Sequence, residues 1–299
     1  MRMGYQDWAL LLMLSFLWGG AFFFAAVAVK ELPPLTLVLA RTGLAALALA
    51  VVLRLGGEAR PFRAAAIPAF LIMGLLNNLV PFSLLFWAQT MIPSGLASIL
   101  NATTPIFAIV AAHFLLTDER MALNKAVGVG CGFVGVVVLL GGGLMDGSGF
   151  AVVGMLACLG AALSYGLAGT YGRRFRSMQV SPAQVALGQL TATSMMMVPV
   201  VCLMDRPWTL AFPGGSVVLA VLGLAFASTA LAYVIFFRLL ASAGAVNTAL
   251  VTLLIPASAI LLGVLFLGET LAPRHYAGLA LICAGLLAID GRVLDRLRR

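Results

Sequence analysis

LLIPASAILLGVLFLGETLAPRHYAGLALICAGLL, residues 253–287, decides the fold, because its landmarks recur in the first half of the chain. The recurring pairs are Pro105 with Pro256, Glu119 with Glu269, Gly128 with Gly278 and Gly135 with Gly285, at offsets, by subtraction, of 151, 150, 150 and 150. Earlier pairs are Trp18 with Tyr165, Pro34 with Pro182 and Gly74 with Gly223, at offsets of 147, 148 and 149. A single period near 150 predicts two copies of one structural unit, residues 1–145 and 146–299.

Composition indicates a membrane environment, since 63% of the residues are hydrophobic and only 9% are charged. A bilayer core needs about 20 apolar residues per helix, and the chain supplies ten such stretches. They are residues 8–29, 34–55, 64–89, 94–116, 125–142, 149–171, 182–203, 214–240, 246–267 and 274–289. Five stretches per copy make the second copy enter the membrane in the opposite sense. The sequence therefore predicts an all-α membrane protein of two inverted five-helix repeats, the pattern of many secondary transporters.

Basic residues predict the orientation. With the N-terminus in the cytoplasm, 14 of the 18 Lys and Arg lie on the cytoplasmic side. Three (Lys30, Arg206 and Arg274) lie outside, and Arg41 lies within a helix. This asymmetry places both termini in the cytoplasm. The net charge of +8 is then a topology signal with headgroup anchoring, and no nucleic-acid partner is expected.

Ionisable groups are scarce at membrane depth. None of the ten acidic residues lies at the middle of a predicted helix, which argues against a proton relay through a buried carboxylate. Arg41 lies about a third of the way along the second helix. It either faces a water-filled cavity, where it attracts a substrate carboxylate, or is a snorkelling structural arginine.

Polar and aromatic stripes mark the candidate binding residues. Small polar residues recur at helical spacing in the fourth stretch, and similar stripes follow the third, eighth and ninth. Such faces turn away from lipid, either to pack closely or to line a wet cavity. The predicted substrate-binding residues are Trp18, Arg41, Asn78, Phe82, Ser98, Asn101, Tyr165, Thr229, Tyr233 and Thr252.

A pair of prolines and a pair of glutamates lie at matching places in the two copies, and two roles are open for each pair. Pro105 and Pro256 remove a backbone hydrogen bond, and act either as moving hinges or as fixed kinks. Glu119 and Glu269 either cap the following helix or form gating pairs. The cysteines and the two histidines show no metal-ligand spacing, so no metal site, cofactor or disulfide is expected. Motifs such as HExxH and GxSxG are absent, which argues against an enzyme.

The residues 16-FLWG-19, Pro34 with Arg41, the run from Ser94 through Pro105 to Glu119, and residues 253–287 resemble the drug/metabolite transporter superfamily. The specific likeness is to its ten-helix branch of two EamA-type repeats, over nearly the whole chain. Within that branch the chain is most similar to the YddG-type exporters of aromatic amino acids. It departs at Ile255, where many members carry a glutamate just before the proline.

This resemblance implies export of small metabolites through a cavity between the third, fourth, eighth and ninth helices. We expect a multi-pass protein of the bacterial inner membrane, a monomer or weak dimer. We expect it to move bulky or aromatic amino acids outward, as a uniporter or exchanger. Sugar phosphates, nucleotides and toxic cations remain alternative substrates, and a channel or structural membrane protein remains an alternative class.

Overall fold

The computed structural model describes residues 4–57, 62, 64–116, 123–145 and 149–290. Every regular element in this part of the chain is helical. The main helices are α1 (Tyr5–Ala28), α2 (Pro34–Leu55), α3 (Ala64–Ala88), α4 (Ser94–Leu115), α5 (Leu123–Met145), α6 (Gly149–Ser177), α7 (Pro182–Met204), α8 (Gly215–Ala243), α9 (Val251–Leu267) and α10 (Pro273–Asp290). Seven of these described helices, all but α5, α9 and α10, are long and apolar enough to cross a membrane, and those three hold shorter apolar stretches.

The predicted stretches agree with these helices within three residues, with two exceptions. Helix α6 ends at Ser177, six residues later than expected. A separate turn, Ala245–Thr248, precedes α9, which therefore begins at Val251, five residues later than expected. The all-α class is confirmed for the described residues. Membrane crossing by all ten helices, the side on which the termini lie and the domain boundary at 145/146 stay predictions.

The described surface is apolar while polar groups are buried. Leu47 is 67% exposed and Phe114 is 78% exposed, whereas Arg41 is 7% exposed and Asn78 is fully buried. Large exposed apolar side chains are costly in water and favourable against lipid tails. This inside-out distribution is the one that a bilayer selects.

Irregular helix geometry occurs at equivalent places in the two halves. Leu75–Leu79 of α3 and Gly223–Leu231 of α8 are π-helical. The regular helix of α4 ends at Asn101 and restarts at Thr104. In the second half the turn that ends at Thr248 and the restart of α9 at Val251 lie 147 residues further on, since 248−101 and 251−104 both equal 147.

The two prolines relate differently to these breaks. Pro105 is the second residue after the restart of α4, where its missing N–H costs nothing. Pro256 lies inside the continuous helix α9, five residues beyond its start. Against the local period of 150–151, the prolines keep their spacing, whereas the helix break in the second half lies three to four residues earlier. The predicted hinge role of both prolines stays a prediction.

Helices of each half pack against helices of the other half, and the contacts are equivalent in the two directions. Helix α1 packs on α9 as α6 packs on α4, α2 packs on α8 as α7 packs on α3, and α5 pairs with α10. The α5–α10 contact is repeated in detail. A Cβ on Gly128 would lie 2.5 Å from the carbonyl oxygen of Gly285, and a Cβ on Gly135 would lie 2.9 Å from that of Gly278. Because the numbering rises on α5 as it falls on α10, the two helices are antiparallel, as an inverted repeat requires.

Candidate functional site

A cavity of about 320 Å³ lies between α1, α2, α3, α4, α6, α8 and α9, and is called here the central cavity. At about 30 Å³ of liquid volume per water molecule, this space is equivalent to roughly ten water molecules. The volume is at the lower end of the range for small-ligand sites. The cavity therefore suits a metabolite of the size of an amino acid.

Nine of the ten predicted binding residues line the central cavity. They are Trp18, Arg41, Phe82, Ser98, Asn101, Tyr165, Thr229, Tyr233 and Thr252. The polar stripes of α3, α4, α8 and α9 thus meet at one place, together with residues of α1, α2 and α6. Their role in binding a substrate stays a prediction, but the fold brings them together.

Arg41 contributes a buried positive charge to the cavity. Its Nε donates a 3.0 Å hydrogen bond to the Thr229 hydroxyl, and its Cζ lies 3.7 Å from the centroid of the Phe82 ring. The terminal nitrogens make no hydrogen bond to described residues, and no described Asp or Glu lines the cavity. A cation over an aromatic face gains about 0.5–2 kcal/mol, far less than a carboxylate partner would supply. The cavity therefore holds a guanidinium fork whose terminal nitrogens have no hydrogen-bond partner among the described residues, and no described carboxylate to neutralise it.

The π segment of α8 positions the partner of this arginine. The Thr229 hydroxyl donates a 2.8 Å bond to the carbonyl oxygen of Leu224, five residues earlier. A five-residue step is the hydrogen-bonding step of a π-helix. With its proton used there, the Thr229 oxygen is left to accept the bond from Arg41. The geometry ties α2 of the first half to α8 of the second.

Asn78 does not line the central cavity, contrary to the position predicted for it. Its Nδ2 donates a 3.3 Å bond to the Thr193 hydroxyl on α7, and its Oδ1 is buried without a partner. Asn77 lines the cavity in its place, followed by Phe82, Leu85 and Gln89. A regular helix of 3.6 residues per turn puts Asn78 and Phe82 on one face. The π segment inserts an extra residue, and the spacing from Asn77 to Phe82 becomes five.

Asn77 begins a chain of side-chain hydrogen bonds that the sequence did not reveal. Its Nδ2 donates to Gln189 Oε1 at 3.0 Å, and Gln189 Nε2 donates to the Tyr233 hydroxyl at 3.1 Å. The chain runs from α3 through α7 to α8. A glutamine within an apolar helix is a signal that could have pointed to Gln189, but nothing local specifies its partners.

Two carboxamides in the cavity make no hydrogen bond within the described residues, those of Gln89 and Asn101. Gln89 Oε1 and Asn101 Oδ1 are both shielded and unpaired. Buried polar atoms are paired in the great majority of cases, so these two oxygens are exceptions, and each belongs to a side chain that lines the cavity. These groups are neutral and present both acceptors and donors.

One end of the helix bundle is closed by carboxylates that accept bonds from helix N-termini of the opposite half. Glu31 accepts a 2.7 Å bond from the Gly214 amide, and Asp205 accepts bonds of 2.8 and 2.7 Å from the amide and hydroxyl of Thr36. Glu269 accepts bonds of 2.7 and 3.0 Å from the amides of Ser94 and Gly95. We call these three contacts the carboxylate clasps.

Glu269 therefore caps α4 of the other half, not the helix that follows it. Of the two roles considered from the sequence, the structure combines capping with a contact between halves. Glu119, its repeat counterpart, lies outside the described residues. A negative charge at a helix N-terminus satisfies free amides and complements the helix dipole.

The other end of the bundle is built differently. The N-terminus of α7 is capped by its own residues, since the Gln184 amide donates to the Ser181 hydroxyl at 3.2 Å and the Ser181 amide donates to Gln184 Oε1 at 3.2 Å. A described bond between halves at this end joins Ser242 to Asp7 at 2.6 Å. The first part of α4, up to Asn101, packs on α9, whereas Thr104–Leu115 packs mainly on α6. Helices α4 and α9 thus converge at the clasped end and separate at the other.

The fold and the cavity define a helical membrane protein built around a small-molecule site between two repeated halves. Sequence comparison gives the class a family, because the model of the EamA-like transporter family matches residues 7–141 and again residues 152–289. The chain belongs to this family. It is a multi-pass membrane transporter, and the prediction that it is not an enzyme is confirmed by this membership.

Individual relatives cover almost the whole chain. The uncharacterized transporter YoaV of Bacillus subtilis is 26% identical, over 91% of this chain and 92% of its own. A probable amino-acid metabolite efflux pump of Salmonella typhimurium is 27% identical, over 95% of this chain and 94% of its own. A solved crystal structure shares the fold with a TM-score of 0.67 at 21% identity, covering 97% of this chain and 98% of that one.

Proposed function

We propose that this transporter exports amino acids with bulky apolar or aromatic side chains from the bacterial cytoplasm by alternating access. The observation that carries the proposal is Arg41, a buried cation facing a cavity whose described walls hold no carboxylate. Such a site favours a ligand that brings a negative group. The relative named as a probable amino-acid metabolite efflux pump supports the choice of amino acids among anionic metabolites.

Aromatic walls favour an apolar side chain on the ligand. Trp18, Phe82, Tyr165 and Tyr233 line the cavity, and the Trp18 and Phe236 rings lie 5.6 Å apart. Aromatic pairs contribute about 0.5–1.5 kcal/mol beyond burial, which favours aromatic substrates. One methylene in an apolar pocket changes affinity by only about 1–3 kcal/mol. We therefore expect YddG-like breadth, with phenylalanine, methionine and threonine competing for one site.

For the topology we propose ten membrane crossings with both termini in the cytoplasm, in two inverted repeats of residues 1–145 and 146–299. The basic asymmetry of the sequence and the antiparallel α5–α10 pair support this arrangement. In this orientation the carboxylate clasps lie on the periplasmic side. The central cavity then opens towards the cytoplasm, the state that an exporter uses to load its substrate.

For the energetics we propose transport down the substrate gradient or by exchange. No described carboxylate lines the cavity. Ile255 is one of the wall residues, at the position where many members of the resembling family carry a glutamate. A proton-coupled carrier usually needs an ionisable group at membrane depth to carry the proton. The proposal rests on the absence of such a group among the described wall residues.

The test is counterflow in proteoliposomes that contain the purified protein and a high internal concentration of unlabelled phenylalanine. Labelled phenylalanine should accumulate transiently with no pH gradient or membrane potential, and methionine should compete. A strict requirement for a proton gradient would refute the energetic proposal. Movement of a sugar phosphate or a polyamine but of no amino acid would refute the substrate proposal, and leakage without counterflow would indicate a channel.

A further inference from the structure

The central cavity offers a charged binding partner to the carboxylate of an amino acid but only neutral partners to its ammonium. Arg41 offers a full positive charge, with its terminal nitrogens free of hydrogen bonds within the described residues. The groups available to an ammonium among the described wall residues are all neutral, namely hydroxyls, carboxamides and aromatic rings. Charge-assisted hydrogen bonds are roughly twice as strong as neutral ones, and a planar guanidinium binds a carboxylate through two parallel hydrogen bonds. The carboxylate is therefore the group that the site selects.

The charge balance of the occupied cavity extends this argument. With a zwitterion bound, the positive charge of Arg41 is offset locally but the ligand's ammonium leaves one uncompensated charge in a buried space. With a monoanion bound, the net charge becomes zero. An uncompensated buried charge is costly, so the balance favours the monoanion. The carboxamides lose nothing, because each can donate as well as accept and can bind water or a second ligand oxygen.

We infer that the central cavity is a carboxylate site that transports aromatic and apolar monocarboxylates lacking the amino group, in addition to amino acids. This inference rests on the proposed function for the location of the site, and it adds a substrate class to it. The ligand's carboxylate lies on the Arg41 fork, its apolar body lies among Phe82 and the neighbouring aromatic rings, and its amino group is dispensable. Amines that lack the carboxylate are excluded.

The experiment compares three probes of one shape in the purified protein: 3-phenylpropanoate, phenylalanine and 2-phenylethylamine. Binding is measured by the ligand-induced shift in thermal unfolding and by competition against labelled phenylalanine. Transport is measured as uptake into proteoliposomes. We expect 3-phenylpropanoate to bind at least as tightly as phenylalanine and to be transported, and 2-phenylethylamine to bind at least tenfold more weakly.

Variants of Arg41 assign the effect to this residue. Arg41→Gln should lose 3-phenylpropanoate binding at least tenfold, and Arg41→Lys should restore part of it, because the charge returns without the fork. Arg54→Gln is the matched control, since Arg54 lies exposed at the end of the same helix. The ligand-free Arg41→Gln protein should unfold no earlier than the unchanged protein, because the substitution removes a buried charge without a described carboxylate partner. This second measurement separates loss of binding from loss of folding.

The possible results separate the inference from the proposed function. Binding and uptake of 3-phenylpropanoate but not of phenylalanine would support monocarboxylate transport and refute amino-acid export. Uptake of phenylalanine with no binding of 3-phenylpropanoate would overturn the inference and leave amino-acid export standing. Equal binding of 2-phenylethylamine, or unchanged 3-phenylpropanoate binding in Arg41→Gln, would also overturn it.

Discussion

Neutralising one carboxylate clasp should shift the transporter towards the state that opens to the periplasm. In Glu269→Gln the carboxamide keeps one acceptor oxygen, so one of the two α4 amides, of Ser94 or Gly95, loses its partner. The change leaves the side-chain volume almost unaltered. The substitution weakens a contact between the two halves at the end of the bundle where α4 and α9 converge.

The size of the effect follows from the bonds that are lost. A hydrogen bond to a charged group contributes about 1.5–3 kcal/mol, and the interaction of the charge with the helix N-terminus adds about 0.3–1 kcal/mol. Exposure of Glu269, which is half-buried, reduces both, so we expect about 1.5–3 kcal/mol in total. At 1.4 kcal/mol per factor of ten, the ratio of outward-open to inward-open protein should rise about 10- to 150-fold.

The assay uses a cysteine-free protein with a single cysteine in place of Ser98, which lines the cavity and is 1% exposed. A membrane-impermeant thiol reagent added outside intact cells should label this position slowly in the parent protein. Labelling should be at least tenfold faster with Glu269→Gln. Asp7→Asn is the control, because Asp7 joins the halves at the opposite end. It should not increase labelling from outside. A change of less than twofold in the folded Glu269→Gln protein would refute the role of the clasp.

Three further predictions concern packing, the cavity wall and topology. Gly128→Ala should lower the stability in detergent by about 1–3 kcal/mol, because its Cβ would meet a carbonyl oxygen of α10 at 2.5 Å. Gly130→Ala on the same helix, with no atom within 4 Å of its Cβ, should leave thermal unfolding unchanged or raised, and equal effects would contradict the α5–α10 pairing. A cysteine at Asn77 should react with water-soluble thiol reagents and be protected by substrate, whereas one at Asn78 should stay inert, and the reverse result would contradict the π register of α3. A reporter fused after Arg299 should be active only in the cytoplasm, and periplasmic activity would contradict the proposed orientation.

Most of the architecture could be predicted from the sequence because it depends on interactions between residues that are close along the chain. A lipid-facing helix needs a long apolar run, and turns between helices use proline at the first helical positions, as at Pro34 and Pro182. These signals depend only on neighbouring residues. The period near 150 added the two-copy organisation, because duplicated units keep their landmark residues at a constant spacing.

The cavity was readable in part for the same reason. Polar side chains at helical spacing must turn away from lipid, so the stripes on α4, α8 and α9 predicted residues that do line the central cavity. The prediction misplaced Asn78 by one residue, because a period of 3.6 was applied across a π segment. A π turn is adopted where packing against neighbouring helices offsets its poorer hydrogen bonding. It is therefore a property of the tertiary structure.

The sequence by itself determined the helices, the organisation in two copies, the apolar surface and most of the wall residues. All of these follow from short-range patterns and from the repeat. Only the tertiary structure decided which partners meet across the two halves. Thr229 for Arg41, Ser94 and Gly95 for Glu269, and Gly285 for Gly128 are each more than 150 residues away along the chain. Many groups of the same chemical type could fill each of these roles. The choice among them is made by the packing of all the helices at once.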